Sequence, residues 1–254
     1  MINSFVLLTL YLFSFSLLAQ EERQFSIIDA KQYIEDTIFN QNPNSKIDNG
    51  TLNKAIDRIS KSLADPNIAF EEQALFKQYR IYSLEALNFS RFDLQDSIYL
   101  DEVELIIEDY EFLQKKAPDV ISGQLLFTIG RVYFHLLENK NIAYDFWRRC
   151  GEKGHVGCMN IMAGNYFSGK GGLEQNITKS ISWHKKVIAT GTEFNCAGIF
   201  SSARIQTIAF LLPTEFKKFN FKANYLNKTR LQMKVQDKYN DSEFCNHDIV
   251  IIYK

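Results

Sequence analysis

The sequence is poor in the two residues that most often interrupt regular structure. It has 12 glycines and 4 prolines among 254 residues, which is roughly half their usual share. Collagen-like chains, Pro/Gly-rich disordered chains and all-β folds with many turns need more of both. The shortage therefore favours helices.

Neither sign of charge is in excess. Lys and Arg number 29 and Asp and Glu number 30, so the formal net charge is −1. A protein that binds nucleic acid through the phosphates needs an excess of basic side chains, so we expect no nucleic-acid partner. The chain is 46% hydrophobic and has 21 Phe and 12 Tyr, which is enough apolar surface to fold.

Charged side chains are missing from the first 20 residues. Apolar residues run almost without interruption from Phe5 to Ala19, and the charged segment Glu21–Arg23 follows at once. This run is shorter than the about 20 residues of a membrane-spanning helix and is typical of a secretory signal peptide. We predict a signal peptide over 1–19 and, after cleavage, a periplasmic or secreted chain without a membrane span. An uncleaved anchor is the alternative.

Cysteine is absent from the N-terminal half of the chain. The four cysteines are Cys150, Cys158, Cys196 and Cys245. An even number of cysteines in an exported chain is compatible with disulfides. No cysteine lies near the end of the apolar run, which disfavours a bacterial lipoprotein.

Apolar residues in the first half of the chain recur with the period of an amphipathic helix. They predict helices around 27–39, over 52–63, from about 70 to 87 and from about 94 to 116. Short polar breaks, such as Asp65–Asn67, separate them. We therefore expect two helical hairpins in an N-terminal region over 20–120.

A two-helix pattern occurs twice in the second half of the chain. The corresponding segments are Ile129–Phe134 with Ala163–Phe167, and Ala143–Cys150 with Ser180–Val187. Each copy has a glycine, Gly130 or Gly164, where the first helix is expected to meet the second. One helix pair cannot bury its apolar face alone, so such pairs stack. We predict an all-α fold, an α-solenoid of stacked antiparallel helix pairs, with a capping helix and tail over 213–254.

The two copies resemble Sel-one-like repeats, the longer-looped relatives of tetratricopeptide repeats. The second copy matches that family's pattern at Gly164, Phe167, Gly169, Gly171, Lys179, Trp183 and Gly191, and the first at Gly130, Tyr133, Ala143 and Gly154. The resemblance covers 124–196 and implies a repeat region over 121–212. The hairpins over 20–120 are similar to degenerate tetratricopeptide-like hairpins only in general form.

The segment Cys150–Cys158 resembles the cysteine-rich secreted branch of this family, in which such a pair forms a disulfide. The resemblance implies this bond, and two antiparallel helices joined by a short turn can bring the Cα atoms to the about 5.5 Å that it needs. Cys196 lacks its family partner because Val187 stands at that position. Cys245 is then its other candidate within the chain, and the alternative is two buried thiols.

Motifs for catalysis or metal binding are incomplete. The run Gly164–Gly171 is one residue short of a phosphate-binding loop, and it follows a predicted helix rather than a strand. Cys150, His155 and Cys158 are close in sequence but have no fourth ligand, so we predict a disulfide, no metal and no cofactor. Two further histidines are interpreted as packed or half-exposed side chains of helices: His135 and His184.

Charge is unevenly distributed along the chain. Eight acids and no Lys or Arg lie between Asp93 and Glu111, and seven bases against one acid lie between Lys217 and Lys238. Stacked in order, these segments would make one end of the solenoid negative and the other positive, which would orient a partner. The alternative is two solvated helix faces.

A solenoid offers a long continuous surface and few enclosed pockets, so we predict a non-enzymatic interaction or scaffold module for a protein or peptide. The candidate contact residues on the first helices are Arg131, His135, Asn165 and Tyr166. Members of the cysteine-rich branch have been linked to β-lactam binding or hydrolysis. The resemblance therefore implies an alternative, a cell-wall-related amide hydrolase or β-lactam-binding enzyme, which would need a serine or carboxylate beside a base in a pocket.

Overall fold

The computed structural model describes residues 30–32, 48–93, 100–190 and, after these, 201, 204, 205, 208, 209 and 211–214. All regular structure in these residues is helical, so the predicted all-α class is confirmed. The chain divides into two compact units, Met1–Val120 and Ile121–Lys254. In the described ranges, no helix combines the length and the apolar character needed to cross a membrane.

The helices follow each other with short connections. The first unit has α1 (Asn49–Leu63), α2 (Phe70–Asp93), α3 (Leu100–Lys116) and a 3-10 turn (Pro118–Val120). The second unit has α4 (Gly123–Arg131), a π-helical turn (Val132–Leu136), α5 (Lys140–Glu152), α6 (Val156–Ser168) and α7 (Ile177–Ala189). The described residues from 201 to 211 are also helical.

Helix α1 begins at the capping residue Asp48. Its carboxylate accepts hydrogen bonds from the backbone N–H groups of Gly50 and Thr51, at 3.1 and 3.2 Å, and from the Thr51 hydroxyl. The Thr51 hydroxyl and then the Gly50 N–H lower the pKa of Asp48, because both stabilise the charged carboxylate. Leu52 then packs in one buried cluster with Leu87 of α2, as the apolar spacing of α1 predicts.

Helices α2 and α3 are joined by buried charges. Asp109 of α3 is 0% exposed, and its carboxylate accepts hydrogen bonds from Arg80 Nε and Nη2 at 2.7 and 2.9 Å and from Lys77 Nζ at 2.5 Å. Nearby, Arg91 Nη1 contacts Glu102 Oε2 at 2.6 Å. Both interpretations of the sequence, a negative end of the solenoid and a solvated helix face, expose the acids of this segment to solvent. Asp109 is a correction to both, because it is buried and two cations of the adjacent helix compensate its charge.

Helices α4 and α5 of the second unit approach each other at Gly130. A Cβ atom at this position would lie 2.5 Å from Cδ1 of Trp147, so the indole reaches the α4 backbone only because the residue is glycine. There its Nε1 donates a hydrogen bond to the carbonyl of Phe127 at 3.4 Å. Gly130 thus has the position that the sequence predicts for it.

The loop between α6 and α7 is built from glycines with left-handed backbone conformations. Gly169 caps α6 with φ 65°, and Gly171 and Gly172 follow with φ 70° and 74°. Such conformations favour glycine. The loop joins two helices, so the run that resembles a phosphate-binding loop lacks the strand that this motif requires.

Several predicted features lie outside the described residues. They are the signal peptide over 1–19, most of the helix around 27–39, the basic segment Lys217–Lys238 and the tail that ends at 254. Their structure stays a prediction.

Candidate functional site

The first helix of the second unit ends in a π-helical turn. The N–H of Leu137 donates to the carbonyl of Val132 at 3.1 Å, five residues back, and Glu138 follows with φ 51°. Such turns are rare and often found at functional sites. The sequence predicts an ordinary helix here, because the residues of the turn have no distinctive composition.

The π-helical turn presents two half-buried aromatic rings to α5. Tyr133 stacks on Phe146 with ring centres 5.4 Å apart, and Phe134 packs against Trp147 at 5.2 Å. The ammonium of Lys140 lies 5.7 Å from the centre of the Phe134 ring. These contacts fix the rings while part of each stays accessible to solvent.

The first pair of predicted contact residues lies one helical turn apart at this end of α4. Arg131 and His135 are both half-buried. The guanidinium carbon of Arg131 lies 5.9 Å from the centre of the Phe127 ring, and the His135 ring packs edge-on to Phe134 at 4.8 Å. Their side chains are therefore supported by aromatic neighbours.

The second pair, Asn165 and Tyr166, lies side by side on α6 and is also half-buried. The ammonium of Lys179, from α7, lies 5.1 Å from the centre of the Tyr166 ring. One member of each pair thus takes part in a cation–π contact, Arg131 with Phe127 and Tyr166 with Lys179.

A disulfide links the two hairpins of the second unit. Cys150, in the last turn of α5, is bonded to Cys158, in the first turn of α6, and their Cα atoms are 5.9 Å apart. The predicted bond is confirmed, and both residues are buried. The turn between them passes through Gly154, whose φ of 92° favours glycine. Cys196 and Cys245 lie outside the described residues, so their pairing stays a prediction.

His155 lies against this disulfide as the residue that caps α6. Its Nδ1 accepts a hydrogen bond from the Cys158 N–H at 3.3 Å, and its Nε2 lies 3.0 Å from Gln124 Oε1. The imidazole also stacks on Phe127 with ring centres 5.0 Å apart. The two sulfurs and a ring nitrogen of His155 all lie within 4.8 Å of one another.

A second polar cluster lies in the core between α6, α7 and residue 201. His184 Nδ1 is 3.0 Å from Ser201 Oγ, and the Ser201 hydroxyl donates to Asn160 Oδ1 at 2.6 Å. Burial, and then the charge of Arg204, lowers the pKa of His184 to about 3, so its imidazole is neutral near pH 7. The sequence predicts a packed or half-exposed histidine here but does not indicate its contact with Ser201, which lies 17 residues further along the chain.

The proton positions in this cluster follow from its hydrogen bonds. Since Ser201 donates to Asn160, its oxygen accepts from Nδ1–H of His184. A serine nucleophile needs the opposite direction, with the histidine accepting the hydroxyl proton. Both His184 and Ser201 are also buried, so this cluster has the character of a structural core network.

No protein-family model, no curated protein and no solved structure matches the chain. The resemblance to Sel-one-like repeats therefore stays a prediction, and the function is argued from the geometry of the described residues.

Proposed function

We propose that this protein is an exported, non-enzymatic module that binds a protein or peptide on the first helices of its second unit, in the manner of a Sel-one-like repeat protein. One observation carries the proposal. Arg131, His135 and Tyr166, together with the rings of the π-helical turn, stay half-exposed on these helices. Arginine and large aromatic side chains contribute most of the binding energy in protein interfaces.

The contacts that hold these side chains in place also favour binding. Arg131 lies over Phe127, and Tyr166 lies under Lys179. A side chain that is already held in place loses less conformational entropy when a partner binds. The surface is therefore suited to a partner that presents apolar or acidic groups.

The disulfide supports the proposed repeat stacking and location. It joins the second helix of one hairpin to the first helix of the next, which is where neighbouring repeats of a solenoid meet. Disulfides persist in oxidising compartments, so the bond fits a periplasmic or secreted protein. The α-solenoid and the export are both part of the proposal.

Site-specific photo-crosslinking in an extract of the exported fraction tests the surface. A photoreactive aromatic amino acid replaces His135 or Tyr166 in one set of variants and the exposed second-helix residues Asp145 or Ser182 in the control set. We expect discrete adducts of one mass from the first set and none from the second. Adducts from the control set alone, or from neither set in folded variants, would contradict the proposal.

The enzyme alternative can be tested separately with a chromogenic β-lactam. We expect no turnover by the purified chain, because Ser201 is buried and donates its proton to Asn160. Turnover that disappears in Ser201→Ala, with the helical content unchanged, would establish the enzyme alternative instead.

A further inference from the structure

The disulfide and His155 form a cluster of three potential metal ligands. The two sulfurs and a ring nitrogen lie within 4.8 Å of one another in the oxidised protein. We propose that reduction of the Cys150–Cys158 disulfide converts this cluster into a Zn²⁺ site with the ligands Cys150 Sγ, Cys158 Sγ and His155 Nδ1. The site belongs to the reduced chain, so it is compatible with the disulfide of the exported form.

The hydrogen bonds of His155 select the ring nitrogen that would bind the metal. Nδ1 accepts from the backbone N–H of Cys158, so it is unprotonated and lies next to the turn of α6 that carries the Cys158 sulfur. The Zn–N bond would replace this hydrogen bond, because Nδ1 has a single lone pair. Nε2 then carries the proton and donates it to Gln124 Oε1 at 3.0 Å. A histidine that binds a metal commonly donates its other N–H to an oxygen in this way, which fixes the ring and its tautomer.

The position of His155 is also fixed by packing. Its ring stacks on Phe127 at 5.0 Å. Its Cβ is so close to Gly123 that a Cβ atom added to the glycine would lie 2.9 Å from it. The histidine is thus held between α4 and the start of α6. Metal binding requires the two sulfurs to separate and the imidazole to turn from the Cys158 N–H towards them.

Two steps, reduction and metal binding, lead from the disulfide to the Zn²⁺ site. A dithiol reductant gives two electrons and two protons to the disulfide and becomes a cyclic disulfide itself, while Cys150 and Cys158 become thiols. Zn²⁺ then displaces the two thiol protons to solvent, and the sulfurs separate to about 3.8 Å, as two Zn–S bonds of about 2.3 Å in a tetrahedral centre require. A water molecule completes the four ligands.

The charge balance between the ligands and Zn²⁺ favours a metal site at this buried position. Two thiolates neutralise Zn²⁺, so no net charge is buried, and both cysteines are 0% exposed. Cys158 lies in the first turn of α6, where the helix dipole stabilises a thiolate. Cysteine and histidine are the ligands that Zn²⁺ prefers.

The test uses the full chain, unfolded in urea, reduced with a trialkylphosphine and refolded by dilution without oxygen. The phosphine takes the oxygen of a water molecule to become its oxide, so it forms both thiols without leaving a competing thiol in solution. Zn²⁺ affinity is measured by competition with a chromogenic chelator. Co²⁺ is the spectroscopic probe, because thiolate coordination gives an intense charge-transfer band. We expect one ion per chain and no binding by the oxidised protein.

Three variants separate the proposed site from a simple dithiol. His155→Asn keeps a side-chain acceptor for the Cys158 N–H but removes the ring ligand, and we expect at least a tenfold loss of affinity. Gln124→Ala removes only the oxygen that orients His155 and is expected to lower affinity about tenfold or more. Gln175→Ala is the matched control, because this glutamine bonds the carbonyl of Phe167, and its affinity should equal that of the unchanged protein.

Two results would overturn the proposal. In one, the reduced chain binds Zn²⁺ no more tightly than Cys150→Ser/Cys158→Ser. In the other, His155→Asn and Gln124→Ala both bind as tightly as the unchanged protein. Circular dichroism of each reduced variant before metal addition verifies that it is helical. Should His155→Asn fail to fold, Gln124→Ala, which keeps both thiols and the helix cap, decides the outcome alone.

Discussion

Helices α2 and α3 of the first unit are joined by buried charges, whereas the second unit joins α5 to α6 by a covalent bond and α4 to α5 by packed rings. In the first unit, Asp109 is held by Arg80 and Lys77. In the second, the Cys150–Cys158 disulfide takes the corresponding place between helices. Both units are built from helices that follow each other along the chain, but different interactions join these helices.

The two kinds of contact respond differently when one of the interacting side chains is removed. A buried charge left without its partner keeps the full cost of its desolvation. A disulfide stabilises mainly by restricting the unfolded chain, and its two sulfurs leave no charge behind when they are removed together. The first unit should therefore be more sensitive to a single substitution than the second.

The largest effect is expected for Asp109→Ala. This change leaves the buried Arg80 and the half-buried Lys77 without a counter-charge and should cost about 3–5 kcal/mol of unfolding free energy. Urea unfolding gives the total, and hydrogen exchange should show faster exchange in α2 and α3. The control is Asp57→Ala, because Asp57 pairs with Lys61 on the surface, where a loss of at most about 1 kcal/mol is expected. Equal losses for both variants would show that burial does not raise the cost of removing the Asp109 carboxylate.

The next effect is expected for Cys150→Ala/Cys158→Ala. On the chain-entropy model, opening a loop of about nine residues costs roughly 2.5 kcal/mol. Hydrogen exchange should be faster in α5 and α6, with α2 and α3 unchanged. Reducing the unchanged protein should reproduce the loss, and reductant should have no further effect on the double variant. Loss of protection in α2 and α3 as well would show that the units do not unfold separately.

A pH dependence follows from His184 in the second unit. Its pKa is about 3 in the folded chain and near 6.5 when unfolded, so protonation favours the unfolded state. The stability from neutral His184 is complete above pH 6.5 and is lost as the pH falls from 6.5 towards 3. Between pH 7 and pH 5 the loss is about 2 kcal/mol.

Unfolding curves at pH 7 and pH 5 test this effect in the His184→Gln variant. Between these pH values, its unfolding free energy should fall by about 2 kcal/mol less than that of the unchanged protein. The unchanged protein, measured in the same buffers, is the reference. Identical pH dependence in His184→Gln and the unchanged protein would contradict the assignment.

The smallest effect is expected for Gly130→Ala. Overpacking against Trp147 costs about 1–3 kcal/mol, and the higher helix propensity of alanine recovers about 1 kcal/mol, so the net loss is about 1 kcal/mol. Gly50→Ala is the control in the first unit, because a Cβ there would lie 3.3 Å from the Asp48 carboxylate, which can move. If the two variants were equally stable, the close approach at Gly130 would have no energetic role.

The period of the apolar residues predicts much of the fold, because each helix can be identified from its own segment of the sequence. It identified Leu52 as a core residue of α1, and the repeated segments located both hairpins of the second unit. The Cys150–Cys158 bond was implied by the resemblance of this segment to the cysteine-rich branch and is supported by the short turn that the two residues flank. In each case the information lies within a few residues of the chain.

Features that depend on which helix faces which were not predictable in this way. The period of α3 does not tell that Asp109 meets Arg80, because the two are 29 residues apart and either charge could have faced solvent. The contact of His184 with Ser201 was not predictable for the same reason, since it also joins separate segments of the chain. The π-helical turn depends on one inserted residue, Leu137 bonding to Val132, and no residue type marks it.

The burial of Asp109 also has a consequence for ionic strength. Dissolved ions weaken attractions between charges that face water, such as those of Lys61 and Asp57. They cannot enter the space around a carboxylate that is fully excluded from solvent. The contact between α2 and α3 should therefore persist from dilute buffer to concentrated brine.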